Sequence, residues 1–333
     1  MASAKTAASL ASRTTKRPST IRTLSSSFPP SNPLLRHPNN RVHLVFGANT
    51  DVGKSVVSAG LVRAAAAAAA ADSSSERTTS VNYIKPLQCG GSDESFILDQ
   101  RDDGFERVAC RTLFSWNTLA SPHLASHLEG LPVSDAEVLA SLRSSLDRVE
   151  ERDGGGTTTT TAAAAAMAEG SSVTIIESAG GALSPSSSSP LNERSGALGD
   201  GRWGWSTQAD LYSSLELPVV FVGDGKLGGI GVTLASLEAL WSRGYRVDAV
   251  VFVEGEDGSG GDGIRFGRGN AEALREYVMM YRDTSCLDGD AIMCLPPLPP
   301  MPIALTAWYG SNREEFLKLH HLLCRRWRDS FVE

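Results

Sequence analysis

A glycine-framed loop between an apolar run and a helix-forming run constrains this chain more than any other feature. Residues 42–46 read Val42-His43-Leu44-Val45-Phe46 and stop at Gly47, the pattern of a short buried strand. The loop then reads Gly47-Ala48-Asn49-Thr50-Asp51-Val52-Gly53-Lys54-Ser55, and a helix is expected from Gly53 through the alanine run at 64–71. A loop in this position turns its backbone N–H groups, and the positive end of the helix dipole, toward an anion. Lys54 is expected to reach the β- and γ-phosphates of a nucleotide, and the Ser55 hydroxyl to hold Mg2+. Asp51, Val52, Gly53, Lys54, Ser55 and Val56 are the candidate ATP-binding residues of the loop. The strict G-x-x-x-x-G-K-[ST] pattern needs glycine where Ala48 stands, so this loop is a variant. The plain alternative is a glycine turn with an exposed lysine.

The alternation continues along the chain. Residues 81–84, 173–176, 218–222, 247–253 and 292–295 read as strands. Ser134 and Glu137 form a capping box that opens a helix to about residue 150, and further helices are expected at 230–243, 270–281 and 313–328. Strand–helix alternation implies an α/β fold of the P-loop type, a mostly parallel sheet with helices on both faces. Four low-complexity stretches, the alanine run, 154–166, 184–189 and 255–269, are expected to be surface loops or loop expansions without function of their own. The expected organisation is a basic tail over 1–40, the catalytic domain over 41–300 and a helical extension over 301–333.

Composition narrows the classes of partner. The 333 residues are 41% hydrophobic with a net charge of −7, which suits a packed core and argues against a nucleic-acid surface. None of the five cysteines forms a CxxC pair, so neither a zinc site nor a disulfide framework is expected. The absence of an unbroken apolar run of roughly 18 residues argues against a membrane span. No Asp or Glu precedes Asp51, while Lys5, Arg13, Lys16, Arg17, Arg22 and Arg36 are scattered among Ser, Thr and Ala. That composition suits a transit peptide for mitochondria, with plastids as the alternative and a disordered basic tail as the plain one.

Further short motifs follow the loop in order. They are Tyr83-Ile84-Lys85-Pro86, Ser92-Asp93, Ser121-Pro122-His123 with Glu129-Gly130, Glu177-Ser178-Ala179-Gly180-Gly181, and Lys226-Leu227-Gly228-Gly229-Ile230. Each is weak alone, but in this order, over residues 42 to about 300, they resemble the dethiobiotin synthetase family, whose loop reads G-T-D-T-E-V-G-K-T. The wording of residues 222–230 and of Leu295-Pro296-Pro297 is similar to eukaryotic fused proteins in which the synthetase precedes a diaminopelargonate aminotransferase. No aminotransferase half is expected within these 333 residues.

The resemblance implies ATP-dependent joining of CO2 to 7,8-diaminopelargonate and closure of the ring to dethiobiotin, in biotin biosynthesis. It implies catalytic roles for Lys85, Lys54 and Thr50, and contacts to ATP from Glu177, Ser178, Ala179 and Gly180. It assigns Lys85, Cys89 and Ser121 to the substrate, and Ser55, Asp93 and Glu177 to Mg2+. It also implies a homodimer. Cys89 departs from the Ser or Thr usual at its position, and a thiol is the weaker hydrogen-bond donor. His123 reads equally as a substrate contact or as a turn histidine beside Pro122. Three rivals stay open: a partitioning-type ATPase switch, which carries a lysine where Asn49 stands; another synthetase on this fold; and a domain that binds nucleotide without catalysis.

Overall fold

The computed structural model describes residues 39–71, 79–100, 108–153, 171–190, 203–255, 266–281, 287–300 and 305–331. Its core is a seven-stranded sheet in the order β3-β2-β4-β1-β7-β8-β9, in which every pairing is parallel. The strands are β1 (Asn40–Gly47), β2 (Thr79–Cys89), β3 (Val108–Trp116), β4 (Ser171–Glu177), β7 (Val219–Gly223), β8 (Val247–Val253) and β9 (Ile292–Leu295). β1, β4, β7 and β8 are buried almost throughout, the continuous apolar pattern of strands covered on both faces. By strand order, the right-handed rule for parallel crossovers assigns α1 (Lys54–Ala71) to one face, and α4 (Asp135–Asp153), α6 (Gly229–Ser242) and α7 (Phe266–Tyr281) to the other, while the short α5 (Gln208–Leu211) precedes β7. The expected α/β fold is therefore present.

The helices after residue 300 pack onto α1. α8 (Leu305–Ser311) and α9 (Arg313–Asp329) bury Tyr309, Phe316, Leu319 and Trp327 in the same core as the sheet. Gly60 makes this approach possible, because a Cβ there would lie 2.0 Å from the Phe316 ring. α1 is the one helix among the described residues long and apolar enough to cross a membrane, and 61% of it is buried inside the domain.

Several low-complexity readings need correction. The alanine run, expected both as the continuation of the first helix and as a loop expansion, is helix: it completes α1, and Ala64, Ala65 and Ala66 are buried. Residues 185–190 are not a plain loop either. They form β5 (Pro185–Pro190), paired antiparallel with β6 (Trp203–Thr207). This hairpin is fastened to the start of α4 by Ser186 and Ser206, whose hydroxyls both donate to the Asp135 carboxylate. Residues 266–269 open α7 and so leave the expected 255–269 loop, whose residues 256–265 lie outside the described residues. Residues 154–166 lie outside them as well.

β2 runs five residues past its expected end at Ile84. Pro86 cannot donate to a ladder, which would bar it from a strand paired on both sides. Pairing with β4 stops at Ile84–Ile176, and only β3 accompanies β2 beyond that point. The strand thus emerges from the sheet on its β4 side where Lys85 begins, and Lys85 is brought against the end of β4.

Candidate functional site

The loop of residues 47–53 joins the C-terminal end of β1 to α1, where open parallel sheets bind ligands. Gly53 adopts a φ of 96°, and a Cβ there would press on Val253 at 3.0 Å, so glycine is required on both counts. Asp51 has a φ of 55°, a left-handed conformation that short Asp and Asn side chains tolerate. This gives a local reason for Asp where the resembled loop has Glu. Lys54 is buried and donates from Nζ to the Asn49 carbonyl at 3.1 Å, bending back over its own loop. Burial lowers its pKa to about 8, the negative charge of Glu177 opposing that shift only in part.

Beside the loop lies a compact charged cluster. Lys85 Nζ stands 2.6 Å from Asp93 Oδ2 and 2.9 Å from Glu177 Oε1, and donates to the Ser178 carbonyl at 3.2 Å. Ser55 Oγ donates to the same Glu177 Oε1 at 2.8 Å, and Tyr83 OH donates to Oε2 at 3.1 Å. Glu177 is 0% exposed and Lys85 4%. Burial alone would lower the Lys85 pKa, but Glu177 and then Asp93 hold it above its ordinary value. For Glu177, burial works upward, and Lys85 outweighs it, so the carboxyl is held below its usual range. Both groups are charged, and each is the other's condition for being buried.

These residues wall a cavity of about 740 Å3. Thr50, Asp51, Gly53, Lys54, Ser55, Val56, Lys85, Cys89, Asp93, Ser121, Glu177, Ala179 and Gly180 all line it. Of these candidates only Val52 and Ser178 do not line it, and both are buried. Burial pushes the Cys89 thiol up to about 11, so it lines the wall as a neutral group. Asp93 opens α2 (Asp93–Asp99), whose N-cap is Ser92, and the Gln88 side chain accepts from the Asp93 amide at 3.3 Å. Ser121 precedes α3 (Pro122–Leu128) and its hydroxyl faces His123 Nδ1 at 2.9 Å. His123 in turn lies 5.8 Å from Trp205 of the hairpin, ring centre to ring centre. It is thus one step from the cavity wall through Ser121.

The cavity also contains residues that the sequence reading did not select. Leu119 lines it while 89% exposed, and Gln88, Phe96 and Ser184 contribute to the wall. Tyr83 opens the Tyr83–Pro86 motif, and its buried hydroxyl steadies Glu177. Two carboxylates act as supports. Glu129 accepts from the Thr118 amide at 2.6 Å and so ties down the turn before Ser121. Glu254 caps α7, accepting from the Gly267 and Arg268 amides at 2.7 and 3.2 Å. Residues 226–229 do not line the cavity.

No group of three or more His, Cys, Asp or Glu side chains able to hold a metal occurs among the described residues. The candidate Mg2+ set is a hydroxyl and two carboxylates, and these oxygens already converge on one cationic atom, Lys85 Nζ, or on the carboxylate that it binds. Hard oxygen donors gathered in this way suit Mg2+, which usually takes one or two carboxylates and completes its shell with water and substrate phosphates.

Comparison with known proteins agrees with the geometry. The chain is 32% identical over 328 residues to the mitochondrial bifunctional dethiobiotin synthetase/7,8-diamino-pelargonic acid aminotransferase of Oryza sativa, covering 83% of this chain and 33% of the relative. It is 28% identical to the Arabidopsis thaliana protein of the same description, covering 90% and 36%. It is also 28% identical over 218 residues to an ATP-dependent dethiobiotin synthetase of Rhodopseudomonas palustris, covering 64% and 76%. The chain therefore spans about a third of the length of the bifunctional relatives. The family model described as AAA domain matches residues 41–280, which include the loop, the charged cluster and six of the seven sheet strands, and by that match the chain belongs to this family of AAA domains.

Proposed function

We propose that the chain is an ATP-dependent dethiobiotin synthetase, which joins CO2 to 7,8-diaminopelargonate and closes the ureido ring with release of ADP and phosphate. One observation carries the reading: a buried lysine held between two carboxylates on the wall of a cavity that the phosphate loop also walls. The likeness to dethiobiotin synthetases supports the substrate assignment. Residues 41–300 form the proposed catalytic unit, and the helices beyond residue 300 extend it.

The chemistry follows from the weakness of a carbamate as an electrophile. A carbamate oxygen attacks the γ-phosphorus of ATP, the bond to ADP breaks, and a mixed anhydride forms. The second amine then attacks the carbonyl carbon, phosphate departs, and the ring closes with loss of a proton. Phosphoryl transfer is mostly positioning and charge stabilisation. Lys54 meets the transferred phosphate, and Lys85 faces the carbamate and the incoming phosphoryl group. Backbone amides of Asp51 to Val56 and of Ser178 to Gly180 are assigned to ATP, and Thr50, Cys89 and Ser121 to the diamine. Ser55, Asp93 and Glu177 would hold Mg2+, which when bound neutralises phosphate charge.

The test is conversion of diaminopelargonate to dethiobiotin by the purified chain, dependent on ATP and bicarbonate. Product is expected, from a protein that sediments as a homodimer; no product under saturating substrates would end the reading. Asn49 at the position of the partitioning lysine argues against the switch alternative. A second expectation concerns residues 1–40, which lie outside the described residues. Their basic, acid-free composition, and mitochondrial relatives, support import into mitochondria. A fluorescent fusion of this segment should reach that organelle; retention in the cytosol would refute the assignment, and plastid import would correct it.

A further inference from the structure

We propose that Lys85 occupies, in the nucleotide-free protein, the place of the divalent cation, and that the cation enters by displacing it. The inference rests on Ser55, Asp93 and Glu177 being the metal ligands. Asp93 Oδ2 and Glu177 Oε1 lie 2.6 and 2.9 Å from the ammonium, and Ser55 Oγ lies 2.8 Å from that same Oε1. Two of the three proposed ligand groups thus already bind a positive charge belonging to the chain itself, and the third is hydrogen-bonded to one of them.

Two cations cannot use these oxygens together. Mg2+ bonds carboxylate oxygen at about 2.1 Å, so a metal on both carboxylates would lie at contact distance from Nζ. Like charges that close repel, and more strongly where burial lowers the local dielectric. Glu177 is 0% exposed and cannot remain without a positive partner, since an unpaired buried carboxylate is far more costly than a paired one. The two states therefore exchange one cation for another. Lys54 Nζ is bonded instead to the Asn49 carbonyl at 3.1 Å. Lys85 has a flexible four-carbon stem, and the cavity beside it offers about 740 Å3 into which the ammonium can turn. Released from Asp93 and Glu177, it faces the site assigned to the carbamate. The exchange makes the stabilising lysine available only once the metal nucleotide is bound, which ties activation of the carbamate to the presence of its phosphoryl donor.

Cation binding without nucleotide or substrate tests this, with Mn2+ alone followed by electron paramagnetic resonance and Mg2+ alone by calorimetry. Lys85→Gln keeps length and hydrogen bonding but removes the competing charge. It should bind either cation at least ~10-fold more tightly than the wild type, because the like-charge repulsion is gone. Lys85→Ala should behave alike, and Mg2+ should raise the melting temperature of both variants more than that of the wild type. The gain should vanish in the double variant Lys85→Gln/Asp93→Asn, which lacks one of the freed carboxylates. Equal affinity in wild type and Lys85→Gln overturns the proposal. So does a gain that survives in the double variant, or failure of both single variants to fold at every Mg2+ concentration. With no nucleotide or diamine present, the result is independent of whether dethiobiotin is formed.

Discussion

Lys85→Ala is expected to lower dethiobiotin formation at least ~100-fold, the usual scale for one preorganised electrostatic contact, while ATP affinity at saturating Mg2+ is not weakened. Lys85→Gln should be nearly as poor a catalyst, since it keeps reach and hydrogen bonding but not the charge opposite a developing anion. The physical reason is position. Lys85 leaves β2 where β4 ceases to pair with it, and its ammonium is aimed at the carboxylate side of the cavity. The same variants should be less stable. Its neighbours raise the Lys85 pKa despite burial, so the folded state gains from its charge. Removing it strands Glu177, and breaking a buried pair in this way costs about 3–5 kcal/mol. Calorimetric ATP titration beside a turnover assay and a melting curve decides the matter. Wild-type turnover in Lys85→Ala would place the diamine site elsewhere.

Lys54→Ala should abolish turnover and strongly weaken ATP binding, because phosphate charge inside the loop loses its main cationic partner. Retention of more than about a tenth of wild-type activity, a barrier change under ~1.4 kcal/mol, would mean that the loop does not hold the transferred phosphate. The stability effect has the opposite sign to that at Lys85. Burial is the largest influence on Lys54 and lowers its pKa to about 8, so folding disfavours its charged form. This cost is present below pH 8 and fades as pH rises through that value toward 10.5, the ordinary lysine pKa. At pH 7 the Lys54→Ala protein should therefore melt no lower than the wild type, which separates lost binding from lost folding. Two lysines in one cavity thus give a double signature: both variants inactive, one destabilised and one not.

Local order was legible where a segment carries its own explanation. The β1–loop–α1 unit could be read from residues 42–71, because an apolar run, glycines and a helix-forming run follow one another without outside help. β3 was missed. It is an edge strand, mostly half-exposed, and its Arg111, Thr112 and Ser115 interrupt any apolar pattern. The β5–β6 hairpin was missed because a serine-rich strand has no inward stripe; side-chain bonds to Asp135 hold it instead. β2 was cut short at Ile84 since Lys85-Pro86 alone reads as a turn, and only a neighbour on one side makes proline tolerable there.

By itself the sequence determined the parallel α/β plan and the position of the glycine loop between β1 and α1, and it named the residues expected to meet ATP, metal and diamine. The plan and the loop follow from strand and helix periods and from a short motif, which depend on neighbours a few residues away, and the roles follow from the family resemblance. Only the tertiary structure decided that Ser55, Tyr83 and Lys85 share the Glu177 carboxylate, across separations of 122, 94 and 92 residues. It also decided that Lys85 and Lys54, alike on paper, carry opposite burdens. The sign of a buried charge's effect is set by whether the counter-charge that folding brings outweighs burial: the parallel register of β1, β2 and β4 brings Glu177 into contact with Lys85, whereas Lys54, bonded to the carbonyl of its own loop, feels Glu177 too weakly to offset its burial.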